Sequence, residues 1–333
     1  MKKVAINGFG RIGKLCLKLL DDSKIFKVVA INTGSKANNL PHLLKYDSTY
    51  GIDKKIIEEI SDGDEDYLVY GSQRAIILAD RDPNKLPWKN LDIDIVFECS
   101  GKLTDEDSLK AHLNSGAKKV LLSSPGKGNI KTVVLGVNDN QIKKEDKIIS
   151  NASCTTNCLA PVLKVLHDNF IVKNGFLTTI HAYTSDQNIL DAAHKDPRRA
   201  RSAARSIIPT TTGATKNIGK IIPDLENKLK GVSMRVPVEC ASMIDLVVNL
   251  EKKTSVEEIN FIFKKKSEEN LKGVIEYTDS PIVSVDIIGN LSSTVFDSLL
   301  TDVVEDKTAK VIAWYDNEIA YAKKMCEIGE KMF

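Results

Sequence analysis

The chain has 333 residues, and as a prior this length predicts two domains of about 150 residues each. Its hydrophobic fraction of 42% and its charged fraction of 28% are those of a globular protein that buries a real core. Lys and Arg total 47 while Asp and Glu total 45, and this near balance argues against binding to nucleic acid or to membranes through bulk charge.

Neither membrane insertion nor secretion is indicated. No apolar stretch approaches the roughly 18 residues of a membrane span, and no apolar signal-peptide region follows the basic pair Lys2-Lys3. The six cysteines include no Cys-x-x-Cys pair of the zinc-binding kind. We therefore expect a cytoplasmic protein with reduced thiols, without a metal site and without a nucleic-acid or membrane partner.

Short apolar runs alternate with amphipathic stretches in the first half of the chain, a texture typical of buried parallel strands joined by helices. The predicted strands are Val4–Ile6, Val28–Ile31, Ile93–Phe97 and Val120–Leu122. Ile12, Leu15, Cys16 and Leu19 have helical spacing after the first strand. This half is therefore expected to form a doubly wound α/β sheet.

The second half has a different pattern, with longer strands of period-two alternation. They are predicted at Phe176–Tyr183, Ser233–Val236, Ile244–Leu250 and Ile282–Asp286. A polar and basic segment between Ser185 and Thr212 has no clear periodicity, as functional or disordered segments often do. The last segment, Asn317–Met332, is expected to be an amphipathic helix.

Gly8, Gly10 and Gly13 form a GxGxxG motif between the first predicted strand and the first predicted helix. That order is the one a dinucleotide-binding Rossmann fingerprint requires, because the glycines let the pyrophosphate approach the positive helix N-terminus. The acidic residue expected after the second strand is missing, since that strand ends in Asn32-Thr33-Gly34-Ser35-Lys36. Hydroxyls and a lysine there favour a site that accepts NADP, although Asn32 or the backbone could still hold NAD.

The chemically densest stretch contains Cys154, flanked by Ser153 and Thr155 at the expected start of a helix. A cysteine at a helix N-terminus is expected to have a lowered pKa. Cys158 lies one turn on and is best interpreted as a small buried residue, with a redox pair as the minor alternative. His181 stands at the end of a predicted strand, where it either serves as base for the cysteine or is an ordinary core histidine.

The second half of the chain also contains many residues of the types that bind phosphate. Arg guanidinium groups, and Thr hydroxyls near helix N-termini, favour that anion. They are Thr184, Arg198, Arg199, Arg201, Thr210, Thr211, Thr212, Gly213 and Arg235. For Arg198 and Arg201, a solvated position or an ion pair between subunits is an equal alternative.

Several runs closely resemble phosphorylating glyceraldehyde-3-phosphate dehydrogenases, in the same order over nearly the whole chain. They are Asn7–Gly13, Leu43–Ser48, Ser150–Asn157, His181–Thr184, Ile208–Ala214 and Trp314–Glu318. The resemblance implies a Rossmann domain over residues 1–152 and an α+β catalytic domain with a mostly antiparallel or mixed sheet over residues 153–316. It also implies a homotetramer, and the helix within residues 317–333 is expected to pack back on the first domain.

By the same resemblance, Cys154 would form a thiohemiacetal and then a thioester with glyceraldehyde 3-phosphate, with His181 as base, and inorganic phosphate would cleave the thioester. The substrate phosphate would lie on Thr184 and Arg235. Inorganic phosphate would be bound by Ser153, Thr155, Thr212 and Gly213. Arg199 would be shared between the two phosphate sites. Cofactor contacts would fall on Gly8, Gly10, Arg11, Ile12, Gly13, Thr33, Arg81, Ser123 and Asn317.

Three departures from the family pattern bear on the function. Thr33 replaces the common NAD-specifying Asp, and Ala192-Ala193 replaces bulkier residues of the loop after Asp191; both favour NADP or dual specificity. Residues 238–241, Val-Glu-Cys-Ala, differ from the usual Thr-Pro-Asn-Val. Two other functions stay open: an erythrose-4-phosphate dehydrogenase, in which water releases the acyl group, and a dinucleotide-binding sensor without catalysis.

Overall fold

The computed structural model describes residues 1–36 and 38–333. Two compact units divide the chain. Unit 1 comprises Met1–Val133, Asp139–Ala152 and Ala322–Phe333, and unit 2 comprises Val134–Asn138 and Ser153–Tyr321. No helix in the described residues is long and apolar enough to cross a membrane.

Unit 1 is built on a nine-stranded sheet with helices between its strands. Unit 1 as a whole has eleven strands in its described residues, nine in this sheet and two in a separate pair. They are β1 (Lys2–Asn7), β2 (Phe26–Asn32), β3 (Tyr46–Asp47), β4 (Gly51–Ile52), β5 (Ile57–Asp62), β6 (Glu65–Tyr70), β7 (Gln73–Leu78), β8 (Ile95–Glu98), β9 (Lys119–Leu122), β10 (Lys131–Thr132) and β11 (Ile148–Ser150). Its helices are α1 (Arg11–Leu20), α2 (Leu40–Lys45), α3 (Trp88–Leu91) and α4 (Glu106–Asn114). The four strands predicted for the first half are confirmed.

The sheet of unit 1 runs in the order β10-β11-β9-β8-β1-β2-β7-β6-β5, while β3 and β4 form a separate pair. Pairing is parallel from β10 to β7, and the β5–β6 hairpin adds two antiparallel strands at the edge. β1 is central and buried from Val4 onward. The carboxyl ends of β1, β2, β7 and β8 therefore lie side by side, where a doubly wound sheet binds its ligands.

Unit 2 contains a seven-stranded mixed sheet. Its strands are β12 (Val172–Ala182), β13 (Ile208–Thr211), β14 (Leu229–Val236), β15 (Ser242–Leu250), β16 (Ile275–Thr278), β17 (Thr294–Val304) and β18 (Thr308–Tyr315), in the order β13-β14-β12-β15-β18-β17-β16. Its helices are α5 (Cys154–Phe170), α6 (Ala214–Ile221) and α7 (Val256–Glu268). Only the β12–β14 and β16–β17 pairs are parallel.

Helix α5 packs against the sheet of unit 2 and buries Cys158, Leu159, Val162 and Leu163. Each fully buried side chain of this size contributes about 1.5–3 kcal/mol through removal of apolar surface from water. The helix therefore holds its first residue, Cys154, in a fixed position relative to the strands beneath it.

The prediction of a strand over Ile282–Asp286 is wrong. The structure has a short 3-10 helix at Ser284–Ile287, and the carboxylate of Asp286 accepts the Val283 N–H at 2.8 Å. That side-chain bond satisfies a backbone donor that a strand ladder would otherwise use, so alternation of apolar residues does not produce a strand here.

The last helix, α8, spans Ile319–Lys331 rather than beginning at Asn317. The buried Asp316 carboxylate accepts the N–H groups of Glu318 and Ile319 at 2.8 and 2.9 Å. An Asp that accepts the first free N–H groups starts a helix, which explains the later beginning. Residues 322–333 belong to unit 1.

Candidate active site and dinucleotide pocket

Cys154 is the first residue of α5, and Ser153 is its N-cap. The Ser153 hydroxyl accepts the Thr156 N–H at 3.2 Å, as the sequence predicted for a capping serine. As a whole residue Cys154 is partly exposed, whereas Cys158 one turn later is buried. Of the two cysteines of this helix, Cys154 is thus the one placed at the N-terminal end.

His181 lies near the end of β12, and its imidazole faces the thiol. The Nε2 atom is 3.4 Å from Cys154 Sγ, and Nδ1 is 2.7 Å from the carbonyl oxygen of Ala182. A carbonyl can only accept a hydrogen bond, so Nδ1 carries the proton and the lone pair of Nε2 faces the sulfur. His181 is 3% exposed, and it is not an isolated core histidine.

Strand register places Arg235 beside His181. His181 on β12 and Arg235 on β14 are directly paired residues of parallel strands. Arg235 Nη1 donates to the Ala182 carbonyl at 3.3 Å and to the Thr184 hydroxyl at 3.2 Å. The backbone pairing therefore places a guanidinium and a threonine hydroxyl beside the imidazole.

The protonation states of this cluster follow mainly from burial and from neighbouring positive charges. Burial raises the pKa of the Cys154 thiol, and it outweighs the opposing charge of Arg235 and the Thr155 N–H. Burial, with the positive charge of Arg235, lowers the pKa of His181 to about 3. The expected lowering of the cysteine pKa is therefore wrong for this structure: at neutral pH a thiol faces a neutral imidazole.

Tyr315, at the end of β18, joins the helix that bears the cysteine to the strand that bears the histidine. Its hydroxyl lies 2.9 Å from the Thr155 hydroxyl and 3.0 Å from the Thr179 hydroxyl. Its ring meets the imidazole of His181 edge to face, with 5.9 Å between centroids. Sequence reasoning assigned Tyr315 no role, because nothing in the local pattern indicates that β18 ends at this point.

Arg199 is held by acidic and hydroxyl partners in the segment between β12 and β13. Its Nε atom donates to the Thr210 hydroxyl at 2.9 Å, and Nη1 pairs with Asp186. Its charge also contributes to the lowered pKa of His181. Arg201 instead pairs with Asp191 at an exposed position, which agrees with the surface alternative for that residue.

Thr155, Thr212 and Gly213 lie at two helix starts, whereas Thr210 and Thr211 lie on β13. Thr155 belongs to the first turn of α5, and Gly213 is the N-cap of α6. The Thr212 hydroxyl accepts the Ala214 N–H at 3.2 Å. These residues mark two separate helix N-termini, and a helix N-terminus suits an anion.

Unit 1 contains a cavity of about 450 Å³ at the carboxyl ends of its central strands. Gly8, Gly10, Thr33 and Arg81 line it, as predicted for cofactor contacts. It also exposes residues that sequence reasoning did not assign, including Asn7, Asn39, Leu40, Asp80, Cys99, Ser100 and Lys102. Of the other predicted contacts, Arg11, Ile12, Gly13 and Ser123 do not line the cavity, and Asn317 belongs to unit 2.

The glycine motif fits a dinucleotide. Gly8 has a φ of +94°, and a Cβ there would lie 2.4 Å from the Ser100 nitrogen. A Cβ on Gly13 would lie 2.2 Å from the Gly8 carbonyl oxygen, so this glycine lets α1 pack closely on β1. At Gly10, the N-cap of α1, nothing lies within 4 Å of a Cβ. A pyrophosphate can therefore approach the backbone and the N–H groups of the helix.

Glu98 supports the floor of this cavity, by which we mean the lining residues Asn7 and Ser100. Its fully buried carboxylate accepts the Ser100 N–H at 2.8 Å and pairs with the side chains of Asn7 and Ser100. His112 Nε2 lies 3.0 Å from the same carboxylate, and His112 Nδ1 accepts the Trp88 indole N–H at 3.0 Å. A buried carboxylate with this many donors fixes the cavity-lining Asn7 and Ser100 in place.

One end of the cavity is lined by Thr33, Gly34, Ser35, Asp80 and Arg81. The Thr33 hydroxyl lies 2.7 Å from the Ser35 carbonyl and 3.1 Å from the Leu78 carbonyl, so it donates to the backbone. The Thr33 hydroxyl thus has backbone partners in this structure, and its contact with a cofactor phosphate stays a prediction. Arg81 Nε donates to the Gly34 carbonyl at 3.3 Å, which places a guanidinium beside this turn.

Comparison with known proteins bears on both units. Residues 2–106 match the family model of the glyceraldehyde 3-phosphate dehydrogenase NAD binding domain, and residues 153–317 match that of the C-terminal domain. The chain is 50% identical to glyceraldehyde-3-phosphate dehydrogenase of Borreliella burgdorferi, over 99% of each chain. It is 48% identical to glyceraldehyde-3-phosphate dehydrogenase 2 of Bacillus subtilis, over 98% of this chain and 95% of the relative.

Proposed function

The chain belongs to the glyceraldehyde-3-phosphate dehydrogenase family, and from this we propose that it converts D-glyceraldehyde 3-phosphate and inorganic phosphate to 1,3-bisphosphoglycerate, a reaction of glycolysis and gluconeogenesis. The observation that carries the mechanism is the 3.4 Å distance between Cys154 Sγ and His181 Nε2. A nicotinamide dinucleotide supplies the hydride acceptor when it is bound.

Cys154 acts as the nucleophile, and His181 moves its proton. The Cys154 sulfur forms a bond to the aldehyde carbon while the thiol proton passes to Nε2 of His181. Because the imidazole starts out neutral, it can accept this proton directly, and the Nδ1–H bond to Ala182 holds the ring in the required orientation. The electron pair of the C=O π bond moves to the aldehyde oxygen, so the product is the oxyanion of a thiohemiacetal on Cys154, with the proton on His181.

Oxidation removes a hydride from the former aldehyde carbon and leaves a thioester on Cys154. The Cys154 N–H at the start of α5 and the protonated His181 would stabilise the oxyanion that forms at this carbon. Inorganic phosphate then attacks the thioester, and sulfur leaves with the electron pair and regains a proton. Ser153, Thr155, Thr212 and Gly213 would bind this phosphate, and Arg199 would be shared with the site of the substrate phosphate.

Thr184 and Arg235 would hold the phosphate of the substrate itself. They contact each other, and Arg235 shares the Ala182 carbonyl with His181. An Arg fork and a hydroxyl are well suited to a phosphate ester. One end of the substrate would thus be anchored directly beside the base.

The dinucleotide is proposed to be NADP or either dinucleotide, rather than NAD alone. A carboxylate at position 33 would repel a 2′-phosphate, and Thr33 carries no charge. Arg81 beside Gly34 adds a cation that suits the phosphate. Asp80 also lines the cavity, and a carboxylate there favours NAD, because it would accept a ribose hydroxyl and repel a 2′-phosphate; the two opposing charges together support dual use.

Self-association into a homotetramer is proposed as well. Phe176, Leu299 and Leu300 project as exposed apolar side chains from strands of the unit 2 sheet, and Ile189 and Leu190 are exposed in the segment after β12. We propose that these side chains contact other copies of the chain, because oligomer interfaces bury exposed apolar surface. Analytical ultracentrifugation is expected to show a tetramer, and a monomer at micromolar concentration would contradict this proposal.

Reduction of the dinucleotide by triose phosphate and inorganic phosphate tests the function. We expect reduction of NADP and NAD by the wild-type chain and loss of turnover in Cys154→Ala, while Cys158→Ala serves as the matched control on the same helix. Turnover that does not depend on phosphate would contradict the phosphorylating reaction and favour the erythrose-4-phosphate dehydrogenase alternative. Full activity of Cys154→Ala would contradict the thioester mechanism.

A further inference from the structure

Gln187 contacts the guanidinium of Arg235. Its Oε1 atom accepts from Arg235 Nη1 at 3.3 Å, and its backbone N–H donates to the Thr184 carbonyl at 2.9 Å. The side chain is 7% exposed. Gln187 thus contacts both residues that are proposed to bind the substrate phosphate, and it lies in the segment between Ser185 and Thr212 that has no periodic pattern.

The orientation of the Gln187 amide is fixed by chemistry. Arginine has only donors, so the amide must present its oxygen to Arg235 and its NH₂ group in another direction. Oxygen and nitrogen cannot exchange places without setting two donors against each other. Gln187 therefore offers its Nε2–H groups as donors beside Arg235.

Those donors are buried and lack an acceptor. Neither Gln187 Nε2 nor Arg235 Nε has a hydrogen-bond partner within residues 1–36 and 38–333. An unpaired buried donor is costly, and native structures rarely keep one without a reason. The neighbouring acid, Asp186, pairs with Arg199, so it does not serve as that acceptor.

We propose that Gln187 Nε2 donates to the phosphate group of the substrate, as a third phosphate-binding side chain beside Thr184 and Arg235. This inference rests on the proposed function. Gln187 then adds a neutral donor to a site that holds one cation, and it favours a phosphorylated aldehyde over an unphosphorylated one. The anion satisfies two buried N–H groups, one on Gln187 and one on Arg235.

Steady-state kinetics of Gln187→Met tests the inference, since methionine has a similar size and no hydrogen-bonding donor. At saturating dinucleotide and inorganic phosphate, we expect the KM for glyceraldehyde 3-phosphate to rise roughly tenfold to a hundredfold, as expected for a lost hydrogen bond to a charged group. The KM for unphosphorylated glyceraldehyde should stay the same. Gln187→Leu is a second uncharged variant in case the first folds poorly.

A second readout separates direct binding from an effect through Arg235. The charge of Arg235 acts on the pKa of both Cys154 and His181. If Gln187 only held Arg235 in place, its loss would also change the pH profile of Cys154 alkylation by iodoacetamide without substrate. We expect that profile to match wild type. Asn188→Leu, an adjacent amide that donates to the Ala192 carbonyl, is the matched control for damage to the segment.

Three outcomes would overturn the inference: an unchanged KM for the phosphorylated aldehyde, an equal rise for both aldehydes, or a shifted alkylation profile. Each of them requires an active wild-type chain. A wild-type chain that reduces no dinucleotide with triose phosphate would instead contradict the proposed function, so the two failures are distinguishable.

Discussion

The imidazole of His181 and the guanidinium of Arg235 both donate to one acceptor, the carbonyl oxygen of Ala182, at 2.7 and 3.3 Å. The two residues are direct partners across the parallel pair β12–β14. Backbone register therefore sets the distance between the base and the positive charge that would hold the substrate. A shift of one residue between these strands would turn one of the two side chains to the opposite face of the sheet.

Arg235→Leu tests the electrostatic side of this arrangement. Because the Arg235 charge opposes the raised pKa of Cys154 and contributes to the lowered pKa of His181, its removal should raise both pKa values. The rate of Cys154 alkylation measured against pH should shift to higher pH. Arg201→Leu removes a charge at an exposed position and is the control. An unchanged profile in Arg235→Leu would contradict the coupling.

Acid should destabilise the fold partly through His181. Its pKa is about 3 in the folded chain, against about 6.5 when unfolded. Between these values the unfolded state binds a proton that the folded state does not. The unfolding free energy should therefore fall, as pH falls below about 6.5, by about 1.4 kcal/mol per pH unit from this group.

Urea unfolding of wild type and His181→Asn at pH 7.5 and pH 5 measures that contribution. The pH dependence should be weaker in His181→Asn, with His42→Asn as the exposed control. Equal dependence in wild type and His181→Asn would show that the imidazole is not held neutral by burial.

Thr33→Asp should change the dinucleotide preference towards NAD. A carboxylate at this end of the cavity repels a 2′-phosphate and accepts a ribose hydroxyl. We expect the ratio of kcat/KM for NADP to that for NAD to fall at least tenfold. Thr33→Ser keeps the hydroxyl that donates to the backbone and serves as the control. An unchanged ratio would place residue 33 away from the ribose.

Glu98→Gln should weaken the floor of the dinucleotide cavity. Replacing one carboxylate oxygen by NH₂ sets a donor against the donors of Asn7, Ser100 or His112. Breaking such a buried network costs about 3 kcal/mol of unfolding free energy, and the dissociation constant for the dinucleotide should rise. Calorimetric titration and urea unfolding measure both effects, and Glu106→Gln on the exposed face of α4 is the control. Wild-type values in Glu98→Gln would exclude a supporting role.

Local patterns in the sequence predicted much of the fold. The GxGxxG motif, the capping Ser153 and the apolar runs depend on neighbours within a few residues, and the structure has the corresponding strand, helix and helix start. The failure at Ile282–Asp286 has the same local origin, because the Asp286 side chain competes with strand pairing.

Relationships between distant residues could not be derived this way. The pairing of His181 with Arg235 depends on strand order, and the contact between Gln187 and Arg235 spans 48 residues. The raised pKa of Cys154 could not be predicted either, because a helix N-terminus is visible in the sequence, whereas the extent of burial around the sulfur is not.

The indole of Trp88 in unit 1 donates to His112, and the indole of Trp314 in unit 2 donates to Asp297 at 3.0 Å. These are the two tryptophans of the chain. Each unit therefore carries its own intrinsic fluorophore. With one indole replaced by phenylalanine, emission spectra would record the melting of each half separately and reveal whether the two halves lose their structure in one transition or in succession.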